Sequence, residues 1–208
     1  MLKMLVDTCT WQHWFSSKKN LNRLTSDLVT QCESFDEIYN IVSLSSNAKF
    51  LYNALVRHEL GTKYQTEFEQ YILPVAAKIP IPLSRFDGLY LFDGSILMGG
   101  RMGGSLREFL TFDGYPQDQK IIDAASKLRN GESLYETKPR KRELDVEHME
   151  SALEVEADIF ITNDESTIIK RLEIMSEHFD KEHAINKILS ITKTPQNALP
   201  LLKKLLQD

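Results

Sequence analysis

The sequence predicts an α/β fold: a three-layer α/β/α sandwich with a mostly parallel central sheet, plus a β-hairpin-rich insertion. Short apolar runs of strand length occur at residues 2–6, 48–52 and 159–162. Segments with apolar residues at intervals of three and four lie between these runs, which is the pattern of amphipathic helices. Strands that alternate with helices indicate a parallel sheet covered on both faces. A chain of 208 residues suits one domain, 1–208, with an insertion at 80–116.

The first strand is predicted from the apolar run at residues 2–6, which ends at Asp7. Apolar residues at helical spacing then predict two helices, at about 16–32 and 34–44. The second strand is predicted at 48–52.

Asn53 follows the second strand and is a typical helix-capping residue. The helix that it caps is predicted to run through Glu59 toward residue 73. Gly61 weakens this prediction, because glycine is a poor helix former.

The middle of the chain, 80–116, breaks the pattern with prolines, Asp-Gly pairs and clustered glycines. Residues 89–92 and 95–98 flank Asp93 and Gly94 as two strands flank a two-residue turn. This segment is therefore predicted to be a hairpin-rich insertion.

A helix is predicted at about 117–128, followed by an exposed linker at 129–142. Asp145 is predicted to open the next helix, which leads to the buried strand at 159–162. Residues 166–176 have the pattern of a further helix.

The end of the chain is predicted to contain a strand and a helix. The apolar run at 188–191 resembles a strand. Thr194 and Pro195 then form a typical helix start, and the helix is predicted to end near Leu206.

Composition leaves the class of partner open. The net charge of −5 argues against nonspecific binding to nucleic acid, which usually relies on clustered Lys and Arg. However, the basic run at 138–142 is concentrated, and acidic residues gathered around a cation would give the same net charge. Cys9 and Cys32 lie far apart in sequence and suit buried free thiols in a reducing cytoplasm. No apolar run approaches the roughly 18 residues of a membrane span, so we expect a soluble cytoplasmic protein without membrane contact.

Acidic residues occur where predicted strands end. Asp7 closes the first strand and Asp164 follows the strand at 159–162, while Asp145 precedes that strand and Glu59 follows the second strand. The carboxyl ends of parallel strands meet at one edge of a sheet, so these acids are expected to converge. Clustered carboxylates repel one another unless a cation lies between them. Oxygen ligands alone favour Mg²⁺ or Mn²⁺.

In these contexts the acids resemble those of the PIN-domain family of ribonucleases. Asp7 and Thr8 are similar to the first acid of the family and its following Thr or Ser. Cys9 departs from the family, in which Asn commonly stands at this position. The segment at 55–60, which contains Glu59, resembles the region of the second acid.

The closing part of the chain carries the most specific resemblance. Residues 145–153 followed by 157–164 are similar over their whole length to the segment that holds the third and fourth acids of the family. The resemblance covers 1–73 and 117–208, and leaves the insertion at 80–116 unassigned.

The resemblance implies a metal-dependent endoribonuclease that hydrolyses RNA phosphodiester bonds. One or two metal ions held by Asp7, Asp145 and Asp164 would activate a water and stabilise the leaving oxygen. Glu59 would complete the catalytic set of four acids, directly or through a water.

Residues near the acids are candidates for contact with RNA or for orienting water. They are Thr8, His148, Thr162, Asn163, Arg140, Lys141 and Arg142. The alternatives are a structural hydrogen bond for His148 and a solvated linker for the basic run. Trp11 and Trp14 are candidates for stacking on an unpaired base, with core packing as the alternative.

Each acid also has a structural alternative, because Asp near a helix start caps backbone N–H groups. For the whole protein the alternative is a PIN-fold binding or scaffold module without nuclease activity. A dehalogenase-like phosphohydrolase is disfavoured, since no second acid follows Asp7 within the next two residues. The modest size also fits a toxin or defence nuclease, with an antitoxin protein as inhibitor and a homodimer as a possible assembly.

Overall fold

The computed structural model describes residues 1–19, 24–80, 90–92, 95–98, 106, 109 and 138–207. The chain divides into two compact units, the first comprising 1–81 and 151–208 and the second 82–150. The described strands are β1 Leu2–Val6, β2 Ala48–Tyr52, β3 Ala76–Lys78, β4 Tyr90–Phe92, β5 Ser95–Met98, β6 Ile159–Ile161 and β7 Thr192–Lys193. The described α-helices are α1 Thr8–Lys19, α2 Ser26–Leu44, α3 Ala54–Leu60, α4 Gln65–Glu67, α5 Lys138–Glu154, α6 Lys170–Ser176, α7 Ala184–Ile191 and α8 Pro195–Leu205.

A five-stranded, all-parallel sheet forms the centre of the first unit, in the order β3-β2-β1-β6-β7. The predicted α/β class and the parallel pairing are confirmed. The chain builds the sheet outward from β1 in one direction through β2 and β3, and in the other direction through β6 and β7. In such sheets the crevice for ligands lies beyond the carboxyl ends of the strands where this direction reverses, here β1 and β6.

The two helices after β1 differ from the prediction of helices at 16–32 and 34–44, which is wrong in its boundaries. Helix α1 begins directly after Asp7, and its buried face includes small polar side chains such as Thr10 that hide the apolar periodicity. Helix α2 begins at Ser26 because the hydroxyl of Thr25 accepts a hydrogen bond from the backbone N of Leu28 (3.4 Å). The helix then continues through the predicted break.

Helix α3 is capped as predicted by Asn53, whose Oδ1 accepts hydrogen bonds from the backbone N of Leu55 (3.1 Å) and Val56 (3.4 Å). It ends at Leu60, before Gly61, which has a φ of 56°. Non-glycine residues seldom adopt this left-handed conformation. Short 3₁₀, α and π segments then carry the helical path to residue 72 instead of one continuous helix.

Helix α5 overturns two predictions. Residues 138–142 belong to its first turns and do not form a linker, and Asp145 lies inside the helix and does not open it. Pro139 explains the early start, because proline is tolerated in the first turn of a helix, where its missing N–H has no partner to lose. A capping role for Asp145 is therefore excluded.

Helix α7 overturns the strand predicted at 188–191. Ile185 and Ile188, three residues apart, are fully buried, and His183 caps the helix through Nδ1, which accepts from the backbone N of Ile185 (3.3 Å). Only Thr192 and Lys193 form the strand β7. The final helix α8 begins at Pro195 as predicted.

The second unit contains an antiparallel pair, β4 with β5. These strands match the pair predicted at 89–92 and 95–98. The remainder of the predicted insertion at 80–116, apart from 106 and 109, and the helix predicted at 117–128 lie outside the described residues.

An aromatic cluster lies at the centre of the hydrophobic core of the first unit. Trp11, Trp14 and Phe15 from α1 meet Phe35 from α2 and Phe50 from β2, with neighbouring ring centroids 5.0–6.1 Å apart. Both tryptophans are at most 1% exposed, so base stacking on their rings is excluded and the core interpretation is confirmed.

Candidate active site

Asp7 and Thr162 meet where β1 and β6 end. Val6 is in register with Ile161, and the backbone N of Asp7 continues this pairing by donating to the carbonyl of Ile161 (2.9 Å). Thr162, the residue that follows β6, donates from its hydroxyl to Oδ2 of Asp7 (2.9 Å). Asp7 is only 4% exposed. The carboxylate is thus held at the switch point of the sheet.

Asp164 lies at the same edge. Its backbone N donates to Oγ1 of Thr162 (3.0 Å), the same hydroxyl that binds Asp7. Its Oδ1 accepts from the backbone N of Thr167 (2.7 Å), so Asp164 caps the helical turn after β6. Its Oδ2 has no hydrogen bond to the described residues. The capping alternative is therefore real for Asp164, and it leaves one carboxylate oxygen for a ligand.

Glu59 is attached to the edge through Thr8. The hydroxyl of Thr8 donates to Oε2 of Glu59 (2.7 Å), and Nε2 of Gln12 donates to the Glu59 backbone carbonyl (3.3 Å). Because Thr8 directly follows Asp7, these bonds bring the first and second predicted acids to one side of the sheet edge. Thr8 is buried, so its hydroxyl positions Glu59.

The structure adds Cys9 to the site, at the position where the family resemblance fails. Its Sγ donates to Oδ2 of Asp7 (2.9 Å) and lies 3.6 Å from Oγ1 of Thr162. Burial raises the pKa of the Cys9 thiol well above its ordinary value, and the charge of Asp7 and the hydrogen bond to Asp7 raise it further. The thiol therefore stays protonated and serves as a donor to Asp7. Both cysteines are free, as predicted; Cys32 is buried, whereas Cys9, predicted to be buried, is partly exposed.

This environment predicts slow alkylation of Cys9. In a Cys32→Ser background, iodoacetamide is expected to modify Cys9 much more slowly in the folded than in the unfolded protein, because only the thiolate reacts. Asp7→Asn removes the charge that favours the thiol and should raise the rate in the folded protein several-fold. Mass spectrometry of timed samples measures both rates. Equal rates with and without the Asp7→Asn substitution would contradict the contact.

Thr10, His13 and Asn163 form a second group beside the acids. Of these three residues, the sequence pointed only to Asn163. The hydroxyl of Thr10 accepts from the backbone N of Asn163 (3.0 Å), and Nδ1 of His13 lies 3.4 Å from Nδ2 of Asn163. Burial lowers the pKa of His13, against the charges of Asp7 and Asp164, which raise it. Thr10 and His13 are three residues apart on α1, a spacing that could have indicated a shared face.

Oδ1 of Asn163 is buried and has no hydrogen-bond partner among the described residues. A buried carbonyl oxygen normally accepts a hydrogen bond, and leaving it without one costs about 1–3 kcal/mol. The orphaned acceptor lies one residue from Asp164, at the same edge of the sheet.

The fourth predicted acid, Asp145, lies in the second unit, on α5. His148 lies on the same helix and is fully buried, an environment typical of a structural histidine. The basic residues Arg140, Lys141 and Arg142 occupy the first turns of that helix. Their roles in binding RNA stay predictions.

The oxygens at the edge of the first unit suit a hard divalent cation. Within the described part of the chain, no group of three or more His, Cys, Asp and Glu side chains is arranged to hold a metal ion. The donors present are the carboxylates of Asp7 and Asp164. Oxygen ligands of this kind, with water filling the remaining positions, are what Mg²⁺ and Mn²⁺ use in proteins. These donors match the expected metal in chemical type.

Comparison with known proteins gives no relative. No protein-family model matches the chain, and neither the curated proteins nor the solved structures include a match. Across the described ranges, no helix has the length and apolar character needed to cross a membrane.

Proposed function

We propose that this protein is a PIN-like, metal-dependent endoribonuclease that hydrolyses RNA phosphodiester bonds. The observation that carries the proposal is the Thr162 hydroxyl, which links Asp7 and the backbone of Asp164 where β1 and β6 end. Acids joined in this way at a switch point form the typical location of a ligand site in a parallel α/β sheet. The proposal includes the three-layer arrangement of one domain, 1–208, with a hairpin-rich insertion at 80–116.

In this proposal Asp7 and Asp164 hold Mg²⁺ or Mn²⁺, which when bound lowers the pKa of water and stabilises the leaving oxygen. Thr162 and Cys9 fix the Asp7 carboxylate, and Glu59, held by the neighbouring Thr8, adds negative charge. The catalytic role of Asp145 is proposed from its sequence context alone.

The setting of the reaction is also a proposal. A cytoplasmic enzyme with RNA as substrate agrees with the two free thiols. A toxin or defence role, an antitoxin partner and a homodimer are hypotheses from size and resemblance.

An RNA cleavage assay tests the proposed function. Purified protein is incubated with a single-stranded RNA labelled at one end, with Mn²⁺, with Mg²⁺, and with a chelator. Internal cleavage that needs the divalent cation is expected. Absence of cleavage with either cation over a range of RNA sequences would remove the proposal, and products shortened only from one end would replace endonuclease by exonuclease activity.

The competing function is a binding module of the same fold. It is favoured because two of the acids have structural roles: Asp164 caps a helical turn, and Glu59 accepts a hydrogen bond from Thr8. Calorimetry with Mn²⁺ separates the two functions, because the nuclease binds the cation and a module with purely structural acids does not.

Thr162→Val tests the link between the acids. Valine keeps the shape of threonine but cannot donate to Asp7 or accept from Asp164, so kcat is expected to fall by about 10- to 100-fold. The unfolding free energy should fall by about 1–3 kcal/mol, because a buried hydrogen bond to a carboxylate is lost.

Thr192→Val is the matched control for this prediction. Thr192 is also buried, and its hydroxyl donates to the carbonyl of Ile188 (2.7 Å) and not to an acid. It should lose stability and keep kcat. Equal kcat values in the two variants would show that the Thr162 hydroxyl has only a structural role.

A further inference from the structure

Asn163 is held by α1 at two points. Thr10 accepts from its backbone N (3.0 Å), and His13 lies against its side-chain amide with Nδ1 3.4 Å from Nδ2. Residues three apart on a helix face the same side, so one face of α1 fixes both the backbone and the side chain of Asn163. We call Thr10 and His13 the Asn163 clamp.

The Asn163 amide turns Nδ2 toward Nδ1 of His13. An amide nitrogen can only donate, so its partner Nδ1 of His13 must accept, and the imidazole proton then sits on Nε2. With Nδ2 turned toward His13, the other end of the amide, Oδ1, is the buried acceptor without a partner among the described residues. The reversed amide would bring Oδ1 to His13 and would require the proton on Nδ1.

The charged groups near His13 limit which hydrogen-bond donors are available to Oδ1 of Asn163. Asp7 and Asp164 are near enough to His13 for their charges to act on its imidazole, and both are acceptors when ionised. Neither carboxylate supplies a donor when ionised, so a small donor from solvent suits Oδ1. Water is the donor that phosphodiester hydrolysis consumes.

We propose that Asn163 orients the attacking water through Oδ1, and that His13 is the positioning residue that keeps the amide in the required orientation. The inference rests on the proposed nuclease function and extends it to two residues on the edge of the sheet. His13 accepts from the amide through Nδ1, which lies 3.4 Å from Nδ2 of Asn163.

The first test is the tautomer of His13 in the metal-free wild-type protein. Long-range proton–nitrogen correlation spectra distinguish Nε2–H from Nδ1–H imidazoles, and the His13 signals are assigned by their loss in a His13→Asn variant. We expect Nε2–H at pH 7.5. The Nδ1–H tautomer would mean that the amide is reversed, and would overturn the proposal without any activity measurement.

The second test is kinetic. His13→Leu removes the acceptor and should lower kcat by about 10- to 100-fold with little change in KM, as loss of a supporting contact does. His13→Asn places a carbonyl oxygen near the position of Nδ1 and should restore most of kcat. His183→Asn is the control, because asparagine also caps α7 and the site is untouched.

The outcomes separate the two levels of the argument. No cleavage by the wild-type protein removes the proposed function, and the role of the clamp with it. Wild-type cleavage with an unchanged kcat in His13→Leu removes the clamp alone and leaves a structural water as the partner of Oδ1. If His13→Leu does not fold, the tautomer of His13 in the wild-type protein and the kcat of His13→Asn still test the role of the clamp.

Discussion

Asp7→Asn is expected to reduce metal-dependent RNA cleavage by more than about 100-fold, which exceeds the loss of about 10- to 100-fold for residues that only support a metal ligand. Asparagine keeps an oxygen that accepts from Thr162 and Cys9, so the hydrogen bonds that place the side chain persist. What disappears is the negative charge that binds the cation. The loss should therefore be one of metal affinity and of kcat, with the fold retained.

The measurement combines single-turnover cleavage over a range of Mn²⁺ concentrations with calorimetric titration of Mn²⁺. Weaker binding together with slower cleavage at saturating Mn²⁺ is expected. Asp164→Asn should act in the same direction and keep the cap, because the amide oxygen still accepts from the backbone N of Thr167.

Asp158→Asn is the matched control. Asp158 precedes β6 and therefore lies at the opposite edge of the same sheet, where its Oδ2 accepts from the backbone N of Lys3 (2.7 Å). Its loss should leave cleavage unchanged. Cleavage by Asp7→Asn at the wild-type rate would place the catalytic site elsewhere in the chain.

The sequence predicted the parts of the site that depend on the central strands. β1 is apolar except for Lys3 and β6 is wholly apolar, because both faces of a parallel sheet are covered, and each strand stops at a polar residue. Asp7 and Asp164 follow directly from those stops. The topological rule then places them at one edge without knowledge of any side-chain contact.

The contacts of Cys9 and Thr162 were beyond sequence reasoning. They depend on the register of β1 against β6, which pairs Val6 with Ile161 and so sets Asp7 beside Thr162. A shift of one residue would turn these side chains to the opposite face. Register between strands more than 150 residues apart in sequence is decided by the whole core, and no local pattern reports it.

The wrong boundaries have a different origin. The run at 188–191 is too short for periodicity to distinguish a buried strand from a helix, and the buried pair Ile185 and Ile188 decides for the helix. The start of α5 was hidden because lysines and arginines around Pro139 have the composition of a linker. In both places packing overrides the local signal.

Trp11→Ala is expected to lower the free energy of unfolding by about 3–5 kcal/mol. Trp11 is completely buried, and its ring lies 5.0 Å from Phe35, 5.5 Å from Phe50 and 5.8 Å from Trp14, measured between centroids. Alanine leaves a cavity among rigid rings that cannot collapse into it. Such a loss is a large share of the total stability of a domain, about 5–15 kcal/mol.

Urea unfolding followed by circular dichroism measures this loss, and Trp11→Phe provides the comparison that identifies its cause. Nε1 of Trp11 is buried without a hydrogen-bond partner among the described residues, which costs about 1–3 kcal/mol. Phenylalanine removes this donor and keeps an aromatic ring in the cluster, so its loss of stability should be clearly smaller than that of alanine. Equal losses would mean that ring volume contributes nothing at this position. Trp11 packs in the core, whereas its neighbour Thr10 contacts Asn163 at the sheet edge. A Trp11 variant that stays folded should therefore keep the Asn163 clamp and retain Mn²⁺ binding. That result would separate the packing of the core from the chemistry at the sheet edge.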